Sequence, residues 1–595
     1  MSQPQTSLEL PQGALTQHAM LVAWGLFAQA MGLIETFEQV EIKQKTRIHS
    51  PQRKVMEFFV AMLGGAAHLQ DISRSAHPLD QDLAVAKAWG QTGWADYSGV
   101  SRTLQGLSQE EETRIEQALE AWMAPIIARE VALALHEQGC VLYDGDLTGR
   151  PVSNSSTTYP DVAYGYMGDG VQLGYQAAMI SFHSPTYGRL WLHSRQHPGD
   201  SVSVTQLQAM VRLAEQQTGV RPRRRVALIA KRLEELETIW QAAEKRARES
   251  AERLEAAKAA VAEVEQDLAH WRQIVRRFQA EYMREGRKQT PYCRLSRAQR
   301  KVQTYEKRLP RRQKAVQRAE RRLRRHTRQA RALHEDYTRL RRHFQALEAD
   351  NASNPMPVRA IWRMDAGFAS LANMLWLIEM GYEVYTKGAS AHLTPKLLAM
   401  LPQDAVWERV GKNAEMVSWA DVTLDGSFAY PLDMGLLRYH TGDSLRYAVL
   451  LHFGDDPVTH DQSRWFHTYN ARQTIEAGIK EGKNVFQMHH LKVRSAPALQ
   501  LQESLASFAA NFVRIAARWF TQQQQASSEM FFHSVQQMVQ VVANTSARVW
   551  IQGNVWLLKF TEQSLYAGQS LMIRLGQQGA FQLPLPFFNF QKSHF

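Results

Sequence analysis

Cysteine is almost absent from this chain of 595 residues: Cys140 and Cys293 are the only two, and they stand in unlike contexts. Neither a disulfide framework nor a cysteine-based zinc site can be built from them, and a reducing compartment fits. Each is read as a small packed thiol. Long apolar runs are lacking too. No stretch approaches the roughly 18 to 20 uninterrupted apolar residues that a membrane span needs. The N-terminus has no basic segment leading into an apolar one, so the expectation is a soluble protein that is not exported. No glycine-rich loop runs into Lys-Ser or Lys-Thr, and Gly168, Gly170 and Gly174 miss the dinucleotide fingerprint by one position. ATP and NAD chemistry lose their usual binding loops.

What is present is the composition of a folded protein, 44% hydrophobic and 22% charged, over a length that suggests three or more folded units. The formal net charge of +12 favours an anionic partner. Its distribution says more. Residues 271–342 hold 25 Lys and Arg against 6 Asp and Glu, a local +19, so the rest of the chain sums to −7. A solvated helix face does not need such an excess, whereas contact with a polyanion such as nucleic acid does.

Apolar residues recur at helical spacing through residues 19–34, 55–63 and 115–135, so residues 1–139 are expected to form a helical N-terminal domain. Within it the run from Ser98 to Leu104 has two readings, an ordinary helix capped by Ser98 or the recognition helix of a helix-turn-helix. From Cys140 the texture turns β-branched and aromatic, with strands expected at 141–143, 171–182 and 187–193 and a helix at 203–217. Residues 226–347 then carry an apolar seam at alternating spacings of 3 and 4, from Leu233 to Tyr282 and again from Leu295 to Leu347. Its polar exceptions are Ser250, Arg312 and His326. The stretch 285–291, with Gly286 and Pro291, separates the two runs. They are expected to fold back as an antiparallel coiled-coil hairpin, each arm roughly 75 Å long at about 1.5 Å per residue, with a kink at Pro310. Beyond it the pattern predicts strands at 357–364 and 382–386 around a helix at 371–380, then strand-like stretches at 414–424 and 436–453. A helical pattern over 469–520 and a small terminal β element at 549–560 and 570–575 complete the chain.

Metal-assisted phosphoryl transfer needs carboxylates brought from different elements to hold divalent ions at the attacking and leaving oxygens. Mg2+ is satisfied by hard oxygen ligands alone. The chain offers such a set: Asp146 closes the strand that begins at Val141, Asp365 closes Ile361-Trp362-Arg363-Met364, and Glu476 lies in a helical stretch. Asp144, two residues before Asp146 and on the same side of a strand, is an alternative first ligand. Tyr469, Arg472, Glu476 and Lys483 advance by 3, 4 and 7, which places all four along one helical face. A hydroxyl, a guanidinium and an ammonium there can hold phosphate oxygens beside a carboxylate that holds metal.

The spacing of those four residues, with Asp146-Leu147-Thr148, Arg363-Met364-Asp365-Ala366-Gly367-Phe368 and Phe508-Ala509-Ala510-Asn511-Phe512-Val513, resembles the insertion-sequence DDE transposases that carry a Tyr-Arg-Glu-Lys signature. These belong to the RNase H-like, retroviral integrase superfamily. The resemblance covers most of the chain outside the hairpin, which departs from the family pattern. It implies a multidomain α/β protein with an RNase H-like core in three parts, residues 140–225, 351–388 and 467–525. The hairpin at 226–350 and a β-rich insertion at 389–466 would interrupt that core, and a small element at 526–595 would follow it. It also implies that Asp146, Asp365 and Glu476 are catalytic and hold Mg2+, with Mn2+ as a substitute, and that Tyr469, Arg472 and Lys483 hold DNA phosphates. The partners so implied are double-stranded DNA, as terminal inverted repeats and as target, and further copies of the chain in a homodimer or larger homo-oligomer. The expected place is the cytoplasm, on the nucleoid. The implied reaction is cleavage at element ends and attack of the freed 3′-hydroxyl on target DNA, with or without a hairpin intermediate. Two other readings stay open: an RNase H-like nuclease that cuts without joining, and a non-catalytic DNA-bridging protein built on the basic coiled coil. The hairpin's own partner, DNA or another subunit, is open as well.

Overall fold

The computed structural model describes residues 12–45, 48–423, 429–442, 444–486, 488, 490, 492–523 and 534–576. They fall into two folded units, one formed by the chain up to Arg223 and from Met356 onward, the other by Arg224–Pro355.

A short strand, β1 (Ala14–Thr16), precedes seven helices: α1 (Ala19–Ala30), α2 (Leu33–Glu38), α3 (Pro51–Leu63), α4 (Asp71–Arg74), α5 (Leu83–Ala88), α6 (Tyr97–Gln105) and α7 (Gln109–Gln138). Local chemistry sets their ends. Ser50 caps α3 with Pro51 in the first turn, Ser108 and Glu111 form a reciprocal capping box on α7, and Gly139, at φ +69°, stops α7 in the left-handed region. The cap of α6 is Asp96, whose carboxylate accepts from the Gly99 N–H, and not Ser98, which lies inside the first turn. A carboxylate outcompetes a hydroxyl there because its charge also suits the helix N-terminus.

The strands that follow are β2 (Val141–Pro151), β3 (Ala163–Tyr166), β4 (Val171–Phe182), β5 (Leu190–Pro198), β6 (Ala360–Met364) and β7 (Glu383–Lys387). After them come β8 (Glu408–Arg409), β9 (Ala414–Val422), β10 (Leu432–Thr441) and β11 (Ser444–Phe453). All ten belong to one mixed sheet. At its centre β4 runs antiparallel between β5 and β2, β6 lies parallel to β2, and β7 lies parallel to β6. The β-rich insertion extends this same sheet, since β11 pairs antiparallel with β7 and leads on to β10, β9 and β8. The stretch 436–453 is therefore two strands, and position 424 lies outside the described residues.

Helix α8 (Ser203–Thr218) packs on β2, β4 and β5. Beyond the hairpin come α11 (Leu371–Glu379), α12 (Ser390–Met400), α13 (Gln462–Asn470), α14 (Gln473–Val485) and α15 (Ala496–Gln523), after the hairpin arms α9 (Val226–Arg284) and α10 (Arg294–Ala352). α15 satisfies the outer edge of β5 with side-chain amides. Asn511 bonds both the N–H and the carbonyl of Trp191, at 2.9 and 2.8 Å, and Gln500 accepts from the Gln196 N–H and donates to the Ser194 carbonyl, each at 2.9 Å. An otherwise bare edge is thereby closed. The other side of α15 receives the N-terminal helices through an aromatic cluster in which Phe27 meets Phe512, and Phe59 and Trp122 both meet Phe508. The N-terminal helices thus share a core with α15, which in turn packs on β5. At the far end β1 pairs with β12 (Ala547–Gln552), followed by β13 (Val555–Phe560) and β14 (Ser570–Arg574), so the stretch 549–560 is a hairpin and the N-terminal region contributes a strand. Residues 526–533 and 577–595 of that terminal element lie outside the described residues.

The second unit is the hairpin. Its arms have 59 residues each, about 88 Å at 1.5 Å per residue and longer than the seam alone suggests. α10 runs unbroken through Pro310, which sits on its exposed flank. Two of the polar exceptions in the seam meet each other: Ser250 Oγ lies 2.8 Å from His326 Nδ1 across the arms. Trp240 stacks on Tyr337 at 5.5 Å. At the tip Gly286 takes φ +63° and Cys293 caps α10.

In α3, Glu57 is buried; its Oε2 accepts from the Ala95 N–H at 2.9 Å and its Oε1 has no partner among the described residues. Burial, with a smaller push from Asp80 and Asp96 that outweighs Lys54, raises its carboxyl from 4.5 to about 9. The folded state therefore keeps it protonated while the unfolded chain ionises, so its contribution to stability is complete below pH 4.5 and is lost progressively up to about pH 9. Glu57→Gln, which keeps the acceptor and removes the proton, is expected to raise the unfolding midpoint more at pH 8 than at pH 5. Urea unfolding at the two pH values checks it, and an equal effect at both refutes it.

Candidate active site

Two parallel strands set the frame. In the register of β2 and β6, Asp144 stands beside Arg363, so the residues two further along, Asp146 and Asp365, stand level with each other. Asp146 does not close its strand as the apolar run suggested: β2 continues to Pro151, because the residues beyond Asp146 go on pairing with β4. Asp144 is fully buried and both its oxygens are taken by Arg363, at 2.6 Å from Nε and 2.7 Å from Nη2. Arg363 Nη1 goes on to the Thr468 carbonyl at 2.8 Å, which ties α13 to the same point. Asp146, 9% exposed, has no such clamp: its Oδ1 accepts from the Leu147 N–H at 2.8 Å. Asp365 follows the last residue of β6; its Oδ1 accepts from the Gly367 N–H at 3.0 Å. A Cβ on Gly367 would come 3.2 Å from that same oxygen and 3.3 Å from Ser203 Oγ. A larger residue there would press on the carboxylate and on Ser203.

The series Tyr469, Arg472, Glu476 and Lys483 does not lie on one helix. α13 ends at Asn470, Ala471 and Arg472 form a tight turn with three-residue hydrogen bonds, and α14 begins at Gln473. The break rotates Arg472 onto the acids. Its Nη2 is 3.4 Å from Asp146 Oδ2 and its Nη1 is 3.2 Å from Glu476 Oε1. One guanidinium thus bridges a carboxylate from β2 and one from α14. Tyr469 is buried beside it, with Lys387 Nζ, at the end of β7, 5.6 Å from the ring centre.

The electrostatics follow from this crowding. Burial pushes the Asp146 carboxyl up to about 6, Arg472 opposes that, and the charges of Asp365 and Glu476 add to it. Burial works most strongly against the charge on Arg472, but Asp146, Tyr469, Asp365 and Asp144 together outweigh it and hold the guanidinium above its ordinary value. Burial likewise raises the Tyr469 phenol to about 12, so it stays a hydrogen-bond donor. Lys483 lies below the usual lysine range, first through burial and then through Arg150, with Glu503, Asp146 and Asp169 opposing. Among the described residues no three of His, Cys, Asp and Glu are gathered at metal-ligand distance; the positive charge between Asp146 and Glu476 is Arg472. The donor set itself is all hard oxygen, the chemistry that Mg2+ or Mn2+ takes.

Sequence reasoning missed three participants. Lys387 closes the strand next to the one that Asp365 closes, and its strand-end position was a usable signal. The Arg363 clamp on Asp144 left no local signal, because its two residues lie 219 apart. Nor did the buried pair of Arg150, on β2, with Glu503, on α15, at 2.8 Å, which also takes the Ser194 hydroxyl at 2.7 Å.

Asp144→Asn is expected to destabilise the fold by about 3 to 5 kcal/mol, because it leaves the buried Arg363 without its counter-charge. Asp146→Asn is expected to leave stability unchanged or raise it, because the fold already disfavours a charge there. Thermal unfolding of the two variants checks the contrast, and equal losses would refute it. Comparison with models of known protein families and with curated proteins finds no match to this chain, so the reading of this site rests on its own residues.

Proposed function

We propose that the chain is a DDE-type DNA transposase that cleaves DNA at the ends of a mobile element and joins the freed 3′-hydroxyl to target DNA. The observation that carries this reading is the convergence of Asp146 and Glu476 on Arg472 beside Asp365, acids drawn from β2, α14 and the end of β6. The order β5, β4, β2, β6, β7, three antiparallel strands continuing into parallel ones, supports an RNase H-like core beneath them.

Asp146, Asp365 and Glu476 would hold Mg2+, or Mn2+ in its place. A divalent ion there supplies charge stabilisation at the attacking and leaving oxygens of phosphoryl transfer. The chain's own cations would do the positioning. Arg472, which lies between two of those carboxylates, would hold a DNA phosphate beside them. Lys483, two turns further along α14, and Lys387 take neighbouring phosphates. The protonated Tyr469 donates a hydrogen bond to a phosphate oxygen. Arg363 keeps Asp144 in a positioning role, away from substrate.

The test uses DNA carrying the inverted repeats that bracket the coding region, incubated with the purified protein and Mg2+. Asp146→Asn, Asp365→Asn and Glu476→Gln are each expected to abolish cleavage and joining while end binding persists. Cleavage at a near-normal rate by any of the three would overturn the assignment, and cleavage without joined product would favour the nuclease. Arg472→Ala is expected to weaken the grip on cleaved ends and to lower the salt dependence of binding, whereas an unchanged slope would leave Arg472 as an ion-pair partner only.

A further inference from the structure

The second hairpin arm has two opposite faces. One is the apolar seam. On the other side α10 carries a second series at alternating spacings of 3 and 4, ten positions from Arg297 to Arg328, of which nine are Lys or Arg and the tenth is Thr304. All nine are exposed. Spread over 32 residues of helix, they form a row about 47 Å long. Among the described residues none of the nine makes an ion pair: Arg272 with Glu306, Arg331 with Glu335, Arg339 with Asp336 and Arg224 with Asp350 are pairs of this arm, and all lie off the row.

Hairpin packing does not account for this row. The first arm, equally long, carries eleven basic and eleven acidic residues and packs on the same seam. Like charges three and four residues apart on a helix repel, so the row works against the helix that bears it. A ligand of opposite and repeating charge reverses that cost. The row also has no aromatic member, whereas surfaces for single strands stack bases on aromatic rings. A stiff line of cations suits a stiff duplex, whose persistence length far exceeds the row.

We propose that the outer face of α10 is a docking surface for the phosphate backbone of double-stranded DNA, bound without regard to sequence. The preference for DNA over an RNA duplex rests on the transposase reading; the preference for a duplex rests on the row itself.

The test uses the full chain and a variant in which Arg311, Lys314, Arg318, Arg321, Arg325 and Arg328 are all replaced by Gln. Each is titrated with a fluorescent duplex of arbitrary sequence long enough to span the row, over a series of salt concentrations. At about 0.9 in salt slope per phosphate contact, loss of half or more of six contacts is expected to flatten the slope by roughly 3 and to weaken binding at least ~10-fold near 0.1 M salt. Replacing the same five arginines by Lys is expected to preserve both, as is Lys245→Gln with Arg246→Gln on the first arm. Unchanged affinity and slope in the Gln variant, with self-association lost by light scattering, would overturn the proposal in favour of a second copy of the chain. Displacement of the DNA by an RNA duplex at lower concentration would overturn it as well. The titration reads binding without cleavage and uses no substitution at the active site, so a failed active-site reading and a failed row are told apart.

Discussion

The buried pair of Arg363 with Asp144 is the constraint on which the site's arrangement depends. Each side chain is almost wholly removed from water, so each is tolerable only with the other in place. A slip of one residue between β2 and β6 would turn both charges to the opposite face and leave them unpaired. The pair therefore fixes register, and register brings Asp146 and Asp365 level on adjacent strands. The third hydrogen bond of Arg363, to the Thr468 carbonyl, extends the same constraint to α13 and through it to the turn that holds Arg472.

Around that frame the charges are arranged so that no single partner satisfies them. Asp146 is drawn down by one cation and pushed up by burial and two neighbouring acids. Arg472 is shared between Asp146 and Glu476. One guanidinium is thus the counter-charge to acids drawn from two different elements. The supporting shell is less ambiguous: Glu503 takes two hydrogen bonds from Arg150 and a third from Ser194, and no change of charge is asked of it.

Two kinds of information in the chain were legible at different ranges. The hairpin was readable because a coiled-coil seam is a local, repeating pattern: its two runs, its turn and its charge imbalance all sit in consecutive residues, and the structure adds mainly that Ser250 and His326 answer each other across the arms. The strands β4, β6 and β7 were readable for the same reason, since each is a short apolar run. Within the helical pattern of 469–520 the break between α13 and α14 was not legible, because periodicity persists across a tight turn whose residues keep near-helical dihedrals, and only the hydrogen-bond pattern breaks.

The sequence by itself determined which acids and cations were available, their spacing along the chain, and the face of α10 on which the basic residues lie, because each of these is fixed by residue type and helical or strand period. It could not choose between Asp144 and Asp146. Both project from the same side of β2, and what separates them is an arginine 219 residues from Asp144. Tertiary structure also decided that the N-terminal helices share a core with α15, that the β-rich segment extends the central sheet, and that Arg472 points at two carboxylates. These are contacts between residues far apart in the chain, and nothing in local propensity encodes which distant partner will fill a given space.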